Sequence, residues 1–263
     1  MFRMAPNRMA QTHDSSSHSR SLLKLPSDSA IGHVRAHLRL WVVTGVFLGA
    51  DLWTKAWAVR TLPVENPDPP TYLFGLFSFR RSFNTGALFG LGEGLSSVFI
   101  VASLLALVFV LYIFACSSRR QWTMHAALGL ILAGALGNLY DRATCTAHLV
   151  TFKANSPGGP VVGTMEVVGD PHADPVLLRN WGTDEDPVPT PRHQIASIKA
   201  QGVVRDFIKF EPQVFGYEVW RWVFNVADVA LTVGVAILLI HFWTDRKASA
   251  GRAAPKPPEG APV

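Results

Sequence analysis

Residues 95–118 read LSSVFIVASLLALVFVLYIFACSS, an apolar run without a single charge. A helix needs about 20 mostly apolar residues to cross a bilayer. The run therefore predicts a membrane helix over 95–116. Three further windows, on either side of it, have a similar length and character: 38–59, 122–140 and 222–243. The composition of the 263-residue chain agrees, with 49% hydrophobic and only 16% charged residues and a mean hydropathy of +0.22. A soluble domain carries about 25% charged residues, so too few remain here to coat a globule. The same apolarity excludes disorder over most of the chain. Two cysteines cannot staple a chain of this length.

The expected fold class is an all-α membrane protein, a four-transmembrane-helix bundle with a small extracytoplasmic β-rich subdomain. Strand-like pieces at 72–83 and 161–168 would supply that subdomain. Residues 171–191 are broken by prolines and acids and read as an irregular excursion. Residues 1–36 and 245–263 read as disordered tails around a core spanning 37–244.

Orientation follows from basic residues near helix ends. Arg20, Lys24, Arg35 and Arg39 precede the first window, Arg119 and Arg120 link the second to the third, and Arg246, Lys247 and Arg252 follow the fourth. Four spans put all three groups in the cytoplasm, with both termini, and leave loops 61–94 and 142–221 outside. Cys116 and Cys145 then lie on opposite sides, beyond the reach of a disulfide. The net charge of +5 becomes flank charge in part and needs no nucleic-acid partner.

A charge inside a membrane helix costs at least about 2 kcal/mol, so the polar residues in these windows ask for a reason. Asp51 and Lys55 are four apart and share a helical face. Asn138, Asp141 and Arg142 close the third window, and Asn225 and Asp228 open the fourth. Asn84 precedes the second, and Asp206 lies in the loop before the fourth. The topology gathers all of them near the outer face. Gly129, Ala133 and Gly137 form a small-residue row suited to close helix packing. Asp51 with Lys55 reads first as a structural ion pair. Asp228 has no basic partner within a turn and is open to three readings: an active site, a proton relay or a structural network. The sequence has no His-Glu-x-x-His motif, no Gly-x-Ser-x-Gly elbow and no phosphate loop, so neither a metal nor a cofactor is expected. His125 and His241 read as interfacial. Two neighbouring carboxylates, one holding a proton, can activate water against a peptide carbonyl.

With these residues in hand, the chain resembles the lipoprotein signal peptidase (signal peptidase II) family of bacterial membrane aspartic proteases. The resemblance rests on Asp51-x-x-Thr54-Lys55, Asn84-Thr85-Gly86-Ala87-x-Phe89, Gly137-Asn138-Leu139-Tyr140-Asp141-Arg142, Val204-x-Asp206-Phe207 and Phe224-Asn225-Val226-Ala227-Asp228, in that order. It implies a catalytic pair, Asp206 and Asp228. Asp51, Lys55, Asn84, Gly86, Asn138, Asp141, Arg142 and Asn225 would support the site or bind substrate. The implied reaction removes the signal peptide of prolipoproteins on the N-terminal side of a diacylglyceryl-modified cysteine. It would take place at the periplasmic face of the bacterial inner membrane, by a monomer whose partners are lipidated precursors and the bilayer. Two departures stand out: Leu88 replaces a usual alanine, and residues 145–199 form an insertion where the family has a short connection. The competing reading is a non-catalytic membrane protein, either a proton-coupled transporter or an inactive homologue that binds lipoprotein precursors.

Overall fold

The computed structural model describes residues 28–63, 69–85, 96–153, 161–183 and 185–253. Four long helices lie among them: α1 (Val34–Thr61), α2 (Ser96–Cys116), α3 (Trp122–Thr144) and α4 (Val226–Ala253). α3 is the central one. Its residues from Ala127 to Gly134 are buried without interruption, as expected of a helix that is apolar all round. Small residues set how closely its neighbours approach. A methyl on Gly129 would lie 2.8 Å from the Leu40 carbonyl oxygen of α1, and one on Gly134 would collide with the Ala227 carbonyl oxygen of α4. The small-residue row thus packs against α1, and Gly134, outside that row, sets the approach of α4. Gly134→Ala is expected to cost about 1–3 kcal/mol by overpacking, read by denaturant titration in micelles. Unchanged stability would mean that α3 and α4 separate at no cost.

α2 and α4 turn apolar surface outward. Leu105, Val108 and Phe109 of α2 and Leu239, Ile240 and Trp243 of α4 are each about 60% exposed. Contiguous surface of this kind marks contact with lipid or protein. Among the described residues, α3 and Val226–Lys247 of α4 are long and apolar enough to cross a membrane.

The all-α expectation is overturned. Beside the four helices, the described residues form eleven strands in antiparallel sheets. One sheet runs β1-β2-β8-β11, built from β1 (Thr71–Tyr72), β2 (Phe77–Asn84), β8 (Val204–Phe210) and β11 (Val223–Phe224). A second runs β6-β5-β4-β3-β7, from β3 (Thr146–Phe152), β4 (Val162–Val167), β5 (Val176–Asn180), β6 (Val188–Thr190) and β7 (Ile195–Gly202). A hairpin of β9 (Gln213–Val214) and β10 (Tyr217–Glu218) completes the set. The four-span count is not met among the described residues: Arg35, Arg39, Asp51 and Lys55 dilute the hydropathy of α1.

The second sheet is built from the stretch that the sequence reading took as an insertion. It leaves directly from the end of α3 and returns directly into β8. Its neck is closed by Val203 N–H donating to the Cys145 carbonyl at 2.9 Å. Val150, Val176, Leu178 and Ile195 form its own small core. The irregular excursion expected over 171–191 contains β5 and β6. Asp170, just before it, accepts from His172 N–H at 2.8 Å between β4 and β5, and Asp174 accepts from Arg192 N–H at 2.9 Å beyond the paired ends of β5 and β6. Val176 and Leu178 point inward while Leu177 points out, the period-two signature of a half-buried strand. α4 also continues to Ala253, through part of the stretch read as a tail. The rest of that tail, and residues 1–27, lie outside the described residues. Cys116 and Cys145 are both free.

Candidate active site

The site lies where the first sheet meets the ends of α1, α3 and α4. Its foundation is a set of buried charges. Lys55, fully buried, places its ammonium 2.8 Å from Asp51 Oδ2 and 3.2 Å from Asp141 Oδ2. It also donates to Asn138 Oδ1 at 3.0 Å. The ammonium thus sits between two carboxylates and one amide oxygen. Asp141 is held from its other side by Arg205, through the backbone N–H at 3.0 Å, Nε at 3.1 Å and Nη2 at 2.5 Å. Asp51 Oδ1 accepts the Ala227 N–H at 2.8 Å, an otherwise orphan amide in the first turn of α4. Two carboxylates and two cations thus neutralise one another away from water, as buried ions must. Gly137 makes room for this, since a methyl there would collide with the Asp51 carboxyl.

α4 begins with a reciprocal cap. Asn225 Oδ1 accepts the Asp228 N–H at 2.9 Å, and Asp228 Oδ2 accepts the Asn225 N–H at 3.1 Å. This is a capping box, with an aspartate in the position usually held by Glu or Gln. The Asn225 amide does more than cap. Its Nδ2 donates to Asp206 Oδ1 at 2.6 Å and to Asn138 Oδ1 at 3.1 Å. Asn138 Nδ2 in turn donates to Asp228 Oδ1 at 2.8 Å. Asp206 and Asp228 are therefore linked through a chain of two amides, Asn225 on Asp206 and Asn138 on Asp228.

Asp206 is positioned by strand pairing. β8 runs beside β2 with Asp206 opposite Ser82 and Val204 opposite Asn84, and the Asn84 side chain hydrogen-bonds Asp206. On its other side β8 pairs with β11, which leads directly into Asn225. Asp206 is only 3% exposed. Burial, reinforced by the charge of Asp228, pushes its carboxyl up to about 8, against the hydrogen bonds of Asn84 and Asn225 and the charge of Lys55. The half-buried Arg142 acts electrostatically on Asp206, Asp228 and Asp141.

Of the residues singled out from the sequence, Asp51, Lys55, Asn138 and Asp141 join the buried ion network. Asn84, Asn225, Asp206 and Asp228 join the carboxyl cluster, with Arg142 beside it. Gly86 lies outside the described residues. Arg205 is the one the sequence reading missed. Strand alternation sends neighbouring side chains to opposite faces, so Arg205 can hold Asp141 while Asp206 joins the other cluster. His125, read as interfacial, is buried and shares a 3.0 Å hydrogen bond with Ser117 Oγ.

Apolar helices, a capping sheet and carboxyls grouped at their junction make a membrane protein with a polar site at one end of its helices. The chain belongs to the family described as Signal peptidase (SPase) II, whose model matches residues 43–244, and it is an aspartic endopeptidase of that type. It is 36% identical over 136 residues to the lipoprotein signal peptidase of Rhodococcus jostii (strain RHA1), covering 48% of this chain and 66% of that one. Against the lipoprotein signal peptidase of Desulfitobacterium hafniense (strain DSM 10664 / DCB-2), identity is 26% over 209 residues, 79% of this chain and 95% of the other. A solved bacterial membrane enzyme matches with a TM-score of 0.50 at 20% identity, over 84% of this chain and 93% of that one; that likeness concerns the fold alone.

Proposed function

We propose that the chain removes signal peptides from diacylglyceryl-modified prolipoproteins, cutting N-terminal to the lipidated cysteine, with Asp206 and Asp228 activating water. The observation that carries this reading is Asn225, whose side-chain amide holds the Asp206 carboxyl and whose backbone N–H holds the Asp228 carboxyl, while burial raises the Asp206 carboxyl to about 8. Asp228, whose two oxygens both accept hydrogen bonds, takes a proton from water as the water oxygen adds to the scissile carbonyl. Asp206 gives its proton to the carbonyl oxygen. On collapse Asp206 recovers a proton from the tetrahedral intermediate, the C–N bond breaks and the amine leaves with the proton held by Asp228. The pair ends as it began.

The orientation proposed places this site at the outer face of the inner membrane. Arg35 and Arg39 at the start of α1, Arg119 and Arg120 between α2 and α3, and Arg246 and Lys247 late in α4 lie toward the opposite ends of the helices, which supports a cytoplasmic location for those ends. A lipid-anchored substrate would bring its scissile bond to the bilayer surface, where the sheet and the carboxyls meet.

The proton on Asp206 makes the reading testable by pH. Cleavage of a lipidated precursor is expected to hold up to neutral pH and to fall as pH rises through about 8, where Asp206 loses its proton. A rate that keeps rising through pH 10 would remove Asp206 as proton donor.

A further inference from the structure

The inserted sheet touches the site-bearing strand at three places. Trp181, in the turn after β5, packs its ring edge-on to Phe83 of β2, with centroids 4.5 Å apart at 66°. Arg81 of β2 donates to the Gly182 carbonyl at 2.9 Å. Gln201, near the end of β7 and 9% exposed, donates through Nε2 to the Thr85 carbonyl at 2.7 Å. These contacts bracket Asn84, whose side chain hydrogen-bonds Asp206. Phe83 and Asn84 project to opposite faces of the strand, so Trp181 supports β2 from behind Asn84 while Gln201 fixes the residue after it. Trp181 is itself anchored, its Nε1 donating to the Thr146 carbonyl at 2.6 Å. The insertion thereby reaches back from its own neck to the strand that feeds the carboxyl cluster.

We infer that the insertion is a positioning element, in which Trp181 and Gln201 hold Asn84 in hydrogen-bonding place against Asp206. The inference rests on the aspartate mechanism proposed above. It gives the inserted stretch a function in turnover: Asn84 ends a strand, and an unsupported strand end frays. A displacement of about 1 Å at a catalytic group can cost about a hundred-fold in rate.

The test compares Trp181→Ala, Trp181→Phe and Gln201→Ala in the full-length protein, with Asp228→Asn as reference. A lipidated precursor peptide in micelles is the substrate, and thermal unfolding is followed in parallel. Trp181→Ala and Gln201→Ala are expected to lose about ten-fold or more in kcat with KM little changed, while Trp181→Phe, which restores a ring against Phe83, recovers most of the rate. Gln201→Ala keeps the test decisive if Trp181→Ala does not fold. Wild-type kcat in the folded variants, a change in melting temperature alone, or an effect confined to KM each overturns the positioning role. Activity retained by Asp228→Asn brings down the aspartate mechanism itself, a result separable from the other three.

Discussion

Asp206→Asn and Asp228→Asn are each expected to lower cleavage of a lipidated precursor by about a thousand-fold or more, the upper range for loss of a general acid or base. Groups that act as a unit are not additive, so the double variant should be no worse than either single one. Asparagine keeps the shape of each side chain and an oxygen toward Asn225, so the fold should persist. Stability gives a second readout for Asp206. Its folded carboxyl is raised, so its contribution to stability is fully present below the ordinary aspartate range and is lost as pH rises toward about 8. Asp206→Asn removes that dependence: the variant should hold its melting temperature between pH 4 and 8 better than the native protein. An active Asp206→Asn enzyme would sink the mechanism. Asp141 cannot substitute, because Lys55 and Arg205 already occupy its carboxylate.

What the sequence made legible was local. Helical spacing of three and four residues put Asp51 beside Lys55, Asn138 beside Asp141 and Asn225 beside Asp228, and all three pairs share a face in the structure. Long-range partners were not legible. No spacing shows that Lys55 reaches Asp141 from another helix, or that Asn225 bridges to Asp206. The start of α4 illustrates a second limit. The apolar run from Trp222 suggested a helix, yet Val223 and Phe224 pair with β8 and the helix starts at Val226. A short apolar run fits strand and helix equally well; only the cap at Asn225 separates them. β5 and β6 were hidden for a related reason. Asp174 looks like a breaker in sequence, yet it accepts the Arg192 N–H beyond the paired ends of β5 and β6. Arg205 and Asp206, adjacent in sequence, serve different clusters because a strand divides them.

Lys55→Met is the largest expected structural loss, about 3–5 kcal/mol, measured by denaturant titration in micelles. The ammonium compensates two buried carboxylates at once, Asp51 and Asp141, and methionine fills its volume without its charge. The loss should therefore be conditional. In the Lys55→Met background, Asp141→Asn is expected to cost at least about 1 kcal/mol less than it does alone, because it then removes an uncompensated charge. Strict additivity would show that the ion network contributes packing only. The same substitution should slow catalysis by a route that stability does not report. Lys55 donates to Asn138 Oδ1, which leaves Asn138 Nδ2 to donate to Asp228. Asn225 also donates to that oxygen, so both cluster donors favour one orientation of the amide. Without the ammonium, the preference weakens. An amide turned by 180° would present its oxygen to the Asp228 carboxylate and repel it. A buried lysine thus orients the hydrogen bond on one carboxyl of the proposed pair. Lys55→Met should lower kcat even at temperatures where the protein stays fully folded.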